Sequence, residues 1–149
     1  MVIWGHKTIA MFDIWTLQHI ASGIYMASVA SFIVRKTSEK IEISQASRKF
    51  VSFLIVIAAA FLWECAEHYV ESGIIAGNIG ARVTFWFQGV EHWSNRLIGD
   101  TLAVILGFYI YNLKNRLAIP AKLFSLLWMG VHIFVFPDSM YLHRLIFRR

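Results

Sequence analysis

Apolar residues in this chain come in long blocks, with the polar residues gathered between the blocks or at their ends. Residues 14–34 form the first block, 21 positions without a formal charge when His19 is neutral. At 1.5 Å of rise per residue, a helix of that length crosses roughly 30 Å of hydrocarbon. The second block, residues 51–70, opens with 13 uncharged positions and closes on Glu64, Glu67 and His68, with Glu71 just beyond. A third, residues 93–112, carries Asn95, Arg96 and Asp100 in its first turns, and a fourth covers residues 123–142, where Pro137 bends or ends it near Asp138. Between the second and third, residues 72–91 hold Gly73, Gly77, Gly80 and Gly89 and a run of aromatics at 83–87. That mixture predicts an interfacial or re-entrant connection rather than a further span. Residues 1–13, with Trp4, His6, Lys7 and Phe12, predict a short interfacial lead-in. The pattern therefore predicts an all-α, polytopic integral membrane protein: one domain over residues 1–149 with four transmembrane helices.

Composition agrees with that pattern. Of 149 residues, 58% are hydrophobic and 15% charged, where a soluble domain carries about 25% charged residues. The net charge of +5 does not indicate nucleic acid, because the basic residues sit mostly in short loops and in the tail, as membrane anchors do. The loops at 35–50 and 113–122 hold more of them than the opposite side, so the positive-inside rule favours cytoplasmic 35–50 and external termini. Cys65 is the single cysteine, which excludes an internal disulfide and a thiolate metal knuckle and predicts a packing residue. Residues 1–13 lack a basic start followed by a small-residue cleavage site, so the first apolar block is expected to be retained.

The chemistry is concentrated at the end of the second block. Glu64, Glu67, His68 and Glu71 follow one another at i, i+3, i+4 and i+7 and so share one helix face. A carboxylate at the membrane centre costs about 2.5–3.5 kcal/mol, and a large aliphatic residue returns only about 0.3–0.6. These groups must lie near a membrane surface, face a polar interior, or both. Alternating helix directions bring His19 and Asp13, His92, Asn95 and Asp100, and Asp138 and His143 to the same side. Carboxylates and imidazoles without thiolates suit zinc, manganese or non-haem iron. The candidate metal ligands are His19, Glu64, Glu67, His68, His92 and Asp100, with Glu71 at the rim. An ion-pair network with Arg82 and Arg96, and a proton or ion path, account for the same residues. His132 reads as a hydrogen-bonded core histidine, and Trp4, Trp15, Trp86 and Trp93 as an aromatic belt.

Two stripes of small residues, Gly23-x3-Ala27-x3-Ser31 and Gly99-x3-Ala103-x3-Gly107, let membrane helices approach closely. If they face one another, His19 meets Asn95 and Asp100 near the carboxylates of the second block.

Three blocks resemble an uncharacterised family of small proteobacterial inner-membrane proteins and, more distantly, VanZ-like membrane proteins. They are Asp13-x-Trp15-Thr16-x2-His19-Ile20-x2-Gly23, Trp63-Glu64-x2-Glu67, and Asp100-x6-Gly107-Phe108. The resemblance implies a compact multispanning protein of the bacterial inner membrane with polar residues at helix ends, and no established activity. His68 stands where an amide is expected, which favours metal binding. Two function classes follow. One is metal-dependent chemistry, with a divalent zinc, iron or manganese ion, on a lipid or membrane-embedded substrate. The other is a non-catalytic accessory subunit packing against other membrane subunits or against further copies of itself.

Overall fold

The computed structural model describes residues 2–39, 42–75, 77–87 and 89–135. Two short strands, β1 (Val2–Trp4) and β2 (Ala10–Phe12), precede α1 (Thr16–Thr37), α2 (Gln45–Glu71) and α3 (Gly77–Phe87). A π-helical turn, Asn95–Asp100, runs straight into α4 (Thr101–Leu113). A 3-10 turn at Asn115–Leu117 then leads to α5 (Ala118–Gly130), which continues as π-helix over Val131–Val135.

Among the described residues, three helical rods are long and apolar enough to cross a membrane: Thr16–Thr37, Gln45–Glu71 and Asn95–Leu113. Their large side chains point outward, with Phe61, Leu62, Leu106 and Tyr109 all about half or more exposed, as lipid-facing surfaces require. Cys65, expected as a packing residue, is on that exposed surface. The second rod begins six residues before the predicted block because Ser44 caps it, its hydroxyl accepting from the Ser47 N–H at 3.0 Å. It stops where Gly73 takes a positive φ of 72°, a left-handed turn that costs glycine nothing. At 11 residues, α3 extends only about 16 Å, too short to span. The segment read as a glycine-rich connection thus contains a helix of its own. Of the predicted fourth span, residues 123–135 are helical, while 136–142, with Pro137 and Asp138, and the tail with His143 lie outside the described residues.

The small-residue stripes do face one another. A Cβ built on Gly23 would stand 2.3 Å from the carbonyl oxygen of Val104, and one on Gly107 would stand 2.2 Å from that of Ile20. The α1 and α4 backbones therefore touch, with Ala27, Ala30, Val56, Ala60, Val104 and Phe108 forming a buried core between α1, α2 and α4.

The chain is mostly helical, as expected, with one local departure at the N-terminus. There β1 and β2 pair in parallel, Val2 opposite Ala10 and Trp4 opposite Phe12. The turn between them is closed by Ile9 and Ala10 donating N–H groups to the His6 carbonyl, each at 3.0 Å. The lead-in is a folded loop held by its own backbone hydrogen bonds. It packs under the π-helical turn, where Gly99 meets the Met11 carbonyl so closely that a Cβ would lie 2.0 Å away.

Candidate functional site

Two adjoining groups of polar side chains occupy the end of the bundle where α1 and the π-helical turn begin and α2 ends. Asp13 orders the first approach to it. Its Oδ1 accepts the backbone N–H groups of Trp15 at 2.7 Å and Thr16 at 3.3 Å, while the Thr16 hydroxyl accepts the Asp13 N–H at 3.0 Å. This reciprocal cap starts α1 and fixes the direction in which His19, one turn later, points. Burial raises the Asp13 carboxyl to about 6, against the pull of those N–H groups and of Lys7.

The first group joins three helical elements. His19 Nε2 lies 3.6 Å from Asp100 Oδ1, and His19 Nδ1 lies 4.0 Å from Glu64 Oε1. One ligand atom from each of His19, Glu64 and Asp100 falls within 4.8 Å of the others. Asp100 is only 2% exposed, and neither of its carboxylate oxygens has a hydrogen-bond partner among the described residues. Among the described residues the nearest fixed cation is Arg96, whose Nε stands 3.6 Å from Glu64 Oε2.

The second group is Glu67, Glu71 and Glu91, whose carboxylate atoms also lie within 4.8 Å of one another. Here the protein supplies its own cations. Lys7, 1% exposed, pairs with Glu71 and lies 3.7 Å from Glu91 Oε1. Arg96 pairs with Glu71 and approaches Glu91 Oε2 at 3.4 Å, and its Nη1 donates to His68 Nδ1 at 2.7 Å. The Glu91 N–H donates to Glu71 Oε2 at 3.1 Å, and His92 N–H donates to the Lys7 carbonyl at 2.9 Å. Burial pushes Glu91 up to about 7, with Lys7 acting in the opposite sense and Glu71 in the same one.

The predicted ligands thus separate. His19, Glu64 and Asp100 come together as the matching depths required, and Glu67 joins the neighbouring group. His68 is exposed and serves Arg96, and His92 turns to the Ser94 hydroxyl at 2.7 Å. Glu71, expected at the rim, is instead the buried centre of the ion-pair network, 2% exposed. The reason is that the N-terminal loop and residues 89–92 fold over the end of α2. Sequence reasoning missed Lys7, whose only signal was a lysine set among apolar residues in an unusually mixed lead-in.

A cavity of about 330 Å³ opens beside the first group, lined by α1, α2, α3, α4 and α5. Its polar end is formed by Gln18, His19, Glu64 and Glu67, and its far end by Met26, Ala59 and Ala60. Trp15 and Trp86 stand in its wall with ring centroids 6.1 Å apart, so these two turn inward rather than joining an aromatic belt, while Trp4 and Trp93 are exposed. Behind Trp15 lies His132, fully buried, its Nδ1 donating to the Trp128 carbonyl at 2.7 Å. It is the core histidine that its apolar surroundings predicted.

Among the described residues, five buried carboxylates (Asp13, Glu64, Glu71, Glu91, Asp100) share this end with two buried fixed cations, Lys7 and Arg96. Uncompensated charge at such depth is costly, and among the described residues the carboxylates outnumber the cations. Compared with known families, curated proteins and solved structures, the chain matches none.

Proposed function

We propose that this chain is a small multispanning membrane protein that holds a divalent zinc, iron or manganese ion between His19, Glu64 and Asp100. In this reading the ion would supply Lewis-acid chemistry at the head of a lipid or other membrane-embedded substrate whose chain would lie in the adjoining cavity. The supporting observation is Asp100: a carboxylate buried at 2% exposure with both oxygens lacking a hydrogen-bond partner among the described residues, facing an imidazole and a second carboxylate. One imidazole with two carboxylates is a donor set for these metals. The neighbouring group offers a contrast, since Lys7 and Arg96 already sit among Glu67, Glu71 and Glu91. A metal at the first group would polarise a phosphoryl or carbonyl oxygen, or lower the pKa of a bound water. Around it, Arg96 would hold Glu64 in place, and the apolar wall of α1 and α2 would exclude bulk water.

The same reading carries four spans, the fourth built on α5 and its π-helical continuation, with α3 as the interfacial connection and the bacterial inner membrane as the location. Metal analysis of the full chain purified in detergent tests it. About one equivalent of zinc, manganese or iron is expected, lost in His19→Ala and Asp100→Asn. A metal-free preparation that always co-purifies with one membrane partner would instead establish a non-catalytic accessory subunit.

A further inference from the structure

The lining of the cavity is acidic and aromatic at one end and apolar at the other. Its polar end offers acceptors: the carboxylates of Glu64 and Glu67 and the amide oxygen of Gln18. Gln18 Oε1 is buried without a hydrogen-bond donor among the described residues, and Glu64 Oε2 has only the Arg96 Nε at 3.6 Å, beyond hydrogen-bond reach. Glu64 is itself 6% exposed and lines the cavity wall. Beside these acceptors stand the rings of Trp15, Trp63, Trp86 and Phe87. Carboxylates and aromatic faces together attract an organic cation and repel an anion.

The protein contains an internal example of the same chemistry. The Lys7 ammonium is held by Glu71 and Glu91 and lies 5.2 Å from the centroid of the Phe87 ring. Phe87 lines the cavity as well, so carboxylate-and-ring recognition of one ammonium adjoins a second set of carboxylates and rings. A quaternary ammonium has no N–H to give to Gln18 Oε1 or Glu64 Oε2, whereas a primary ammonium has three. From Gln18 to Met26 the α1 wall runs roughly 12 Å toward the bundle centre, which gives an attached chain an apolar path. Trp63, 54% exposed, stands where such a molecule would enter from the hydrocarbon phase.

We propose that the cavity takes a membrane lipid with a primary ammonium head, the ammonium lying at Gln18, Glu64 and Glu67 and the chain running toward Met26 and Ala59. The inference rests on the reading of this cavity as the place where a lipid-like substrate lies. With a metal on His19, Glu64 and Asp100, Gln18 and Glu67 remain for the head.

The test is quenching of tryptophan fluorescence in the full detergent-solubilised chain by dodecyl amphiphiles brominated at the chain end. The primary ammonium compound should bind about tenfold more tightly than the trimethylammonium, alcohol or carboxylate compounds. Glu67→Gln and Gln18→Leu should each remove most of that preference, and the ranking in the wild-type chain decides the matter if either variant misfolds. Equal affinity for all heads would overturn the proposal. An aminoethyl phospholipid in nanodiscs should displace the quencher where a trimethylammonium phospholipid does not. Failure of both to displace it would overturn the lipid assignment in favour of a free alkylamine. Running each titration with chelator and with added zinc or manganese separates the two readings. Head preference in a protein that binds no metal overturns only the metal site, and metal binding without head preference overturns only this inference.

Discussion

Gly23 and Gly107 meet backbone to backbone: a Cβ on Gly107 would lie 2.9 Å from the Gly23 Cα and 2.8 Å from the Ile24 nitrogen. This crossing sets how closely α1 and α4 approach, and so sets the separation of His19 from Asp100 one to two turns away.

Replacing Gly107 by valine should therefore destabilise the chain by roughly 2–4 kcal/mol, because the neighbouring atoms are backbone and cannot yield. It should also abolish metal retention by spreading His19 from Asp100. Gly130, where an added Cβ would meet nothing within 4 Å, is the control, and Gly130→Ala should be neutral or slightly stabilising. Thermal unfolding in detergent measures both.

Lys7→Met should cost roughly 3–5 kcal/mol, the usual effect of removing one partner from a buried ion pair. It leaves Glu71 and Glu91 with Arg96 as the one buried cation still paired to them. Adding Glu71→Gln to that variant should recover part of the loss, a coupling that a double-mutant cycle reads directly. Additive losses would show that the loop is held by its strand pairing and not by its lysine.

Stability should fall as pH rises through the range set by Asp13. Its carboxyl is raised from 3.8 to about 6 by burial, so the folded state favours the protonated form. The resulting penalty is absent below the unfolded value, grows between 3.8 and about 6, and is complete above it. Two pKa units correspond to about 3 kcal/mol. Asp13→Asn keeps an acceptor for the Trp15 and Thr16 N–H groups and should flatten the melting-temperature profile, gaining most at neutral pH.

Metal retention should divide the six residues that the sequence nominated. His68→Ala and His92→Ala should leave metal content unchanged, since His68 accepts from Arg96 and His92 engages Ser94. Asp100→Asn should eliminate it. Chelation should lower the melting temperature of the wild-type chain and not that of Asp100→Asn.

The three rods and the approach of His19 to Asp100 were legible because both depend on periodic features: block length, residues four apart, and depth along parallel helices. The inward turn of Trp15 and Trp86 was not, because an aromatic residue near a helix end has the composition of a membrane belt whichever way it points. Lys7 was hidden for a related reason. A loop of three-residue strands has too few positions to show alternation, and its lysine finds its partners 64 and 84 residues away. Glu71 was misplaced along with it, since a carboxylate at a helix end looks exposed until the segment that covers it is known.

The π-helical winding of Asn95–Asp100 has a consequence for how this chain can change through time. A wide turn of this kind accommodates one more residue than an α-helix over the same rise, so it behaves as a single-residue insertion held in place by Gly99 against Met11. Deleting one residue there would restore ordinary winding and leave the segments on either side in nearly the same register, because the wide turn already takes up the extra residue. The Gly107 crossing would stay intact, and the change would be confined to the side chains of the wide turn itself, Arg96 among them. A descendant lacking that residue would keep the membrane bundle and re-aim only the contacts of that one turn, in one genetic step.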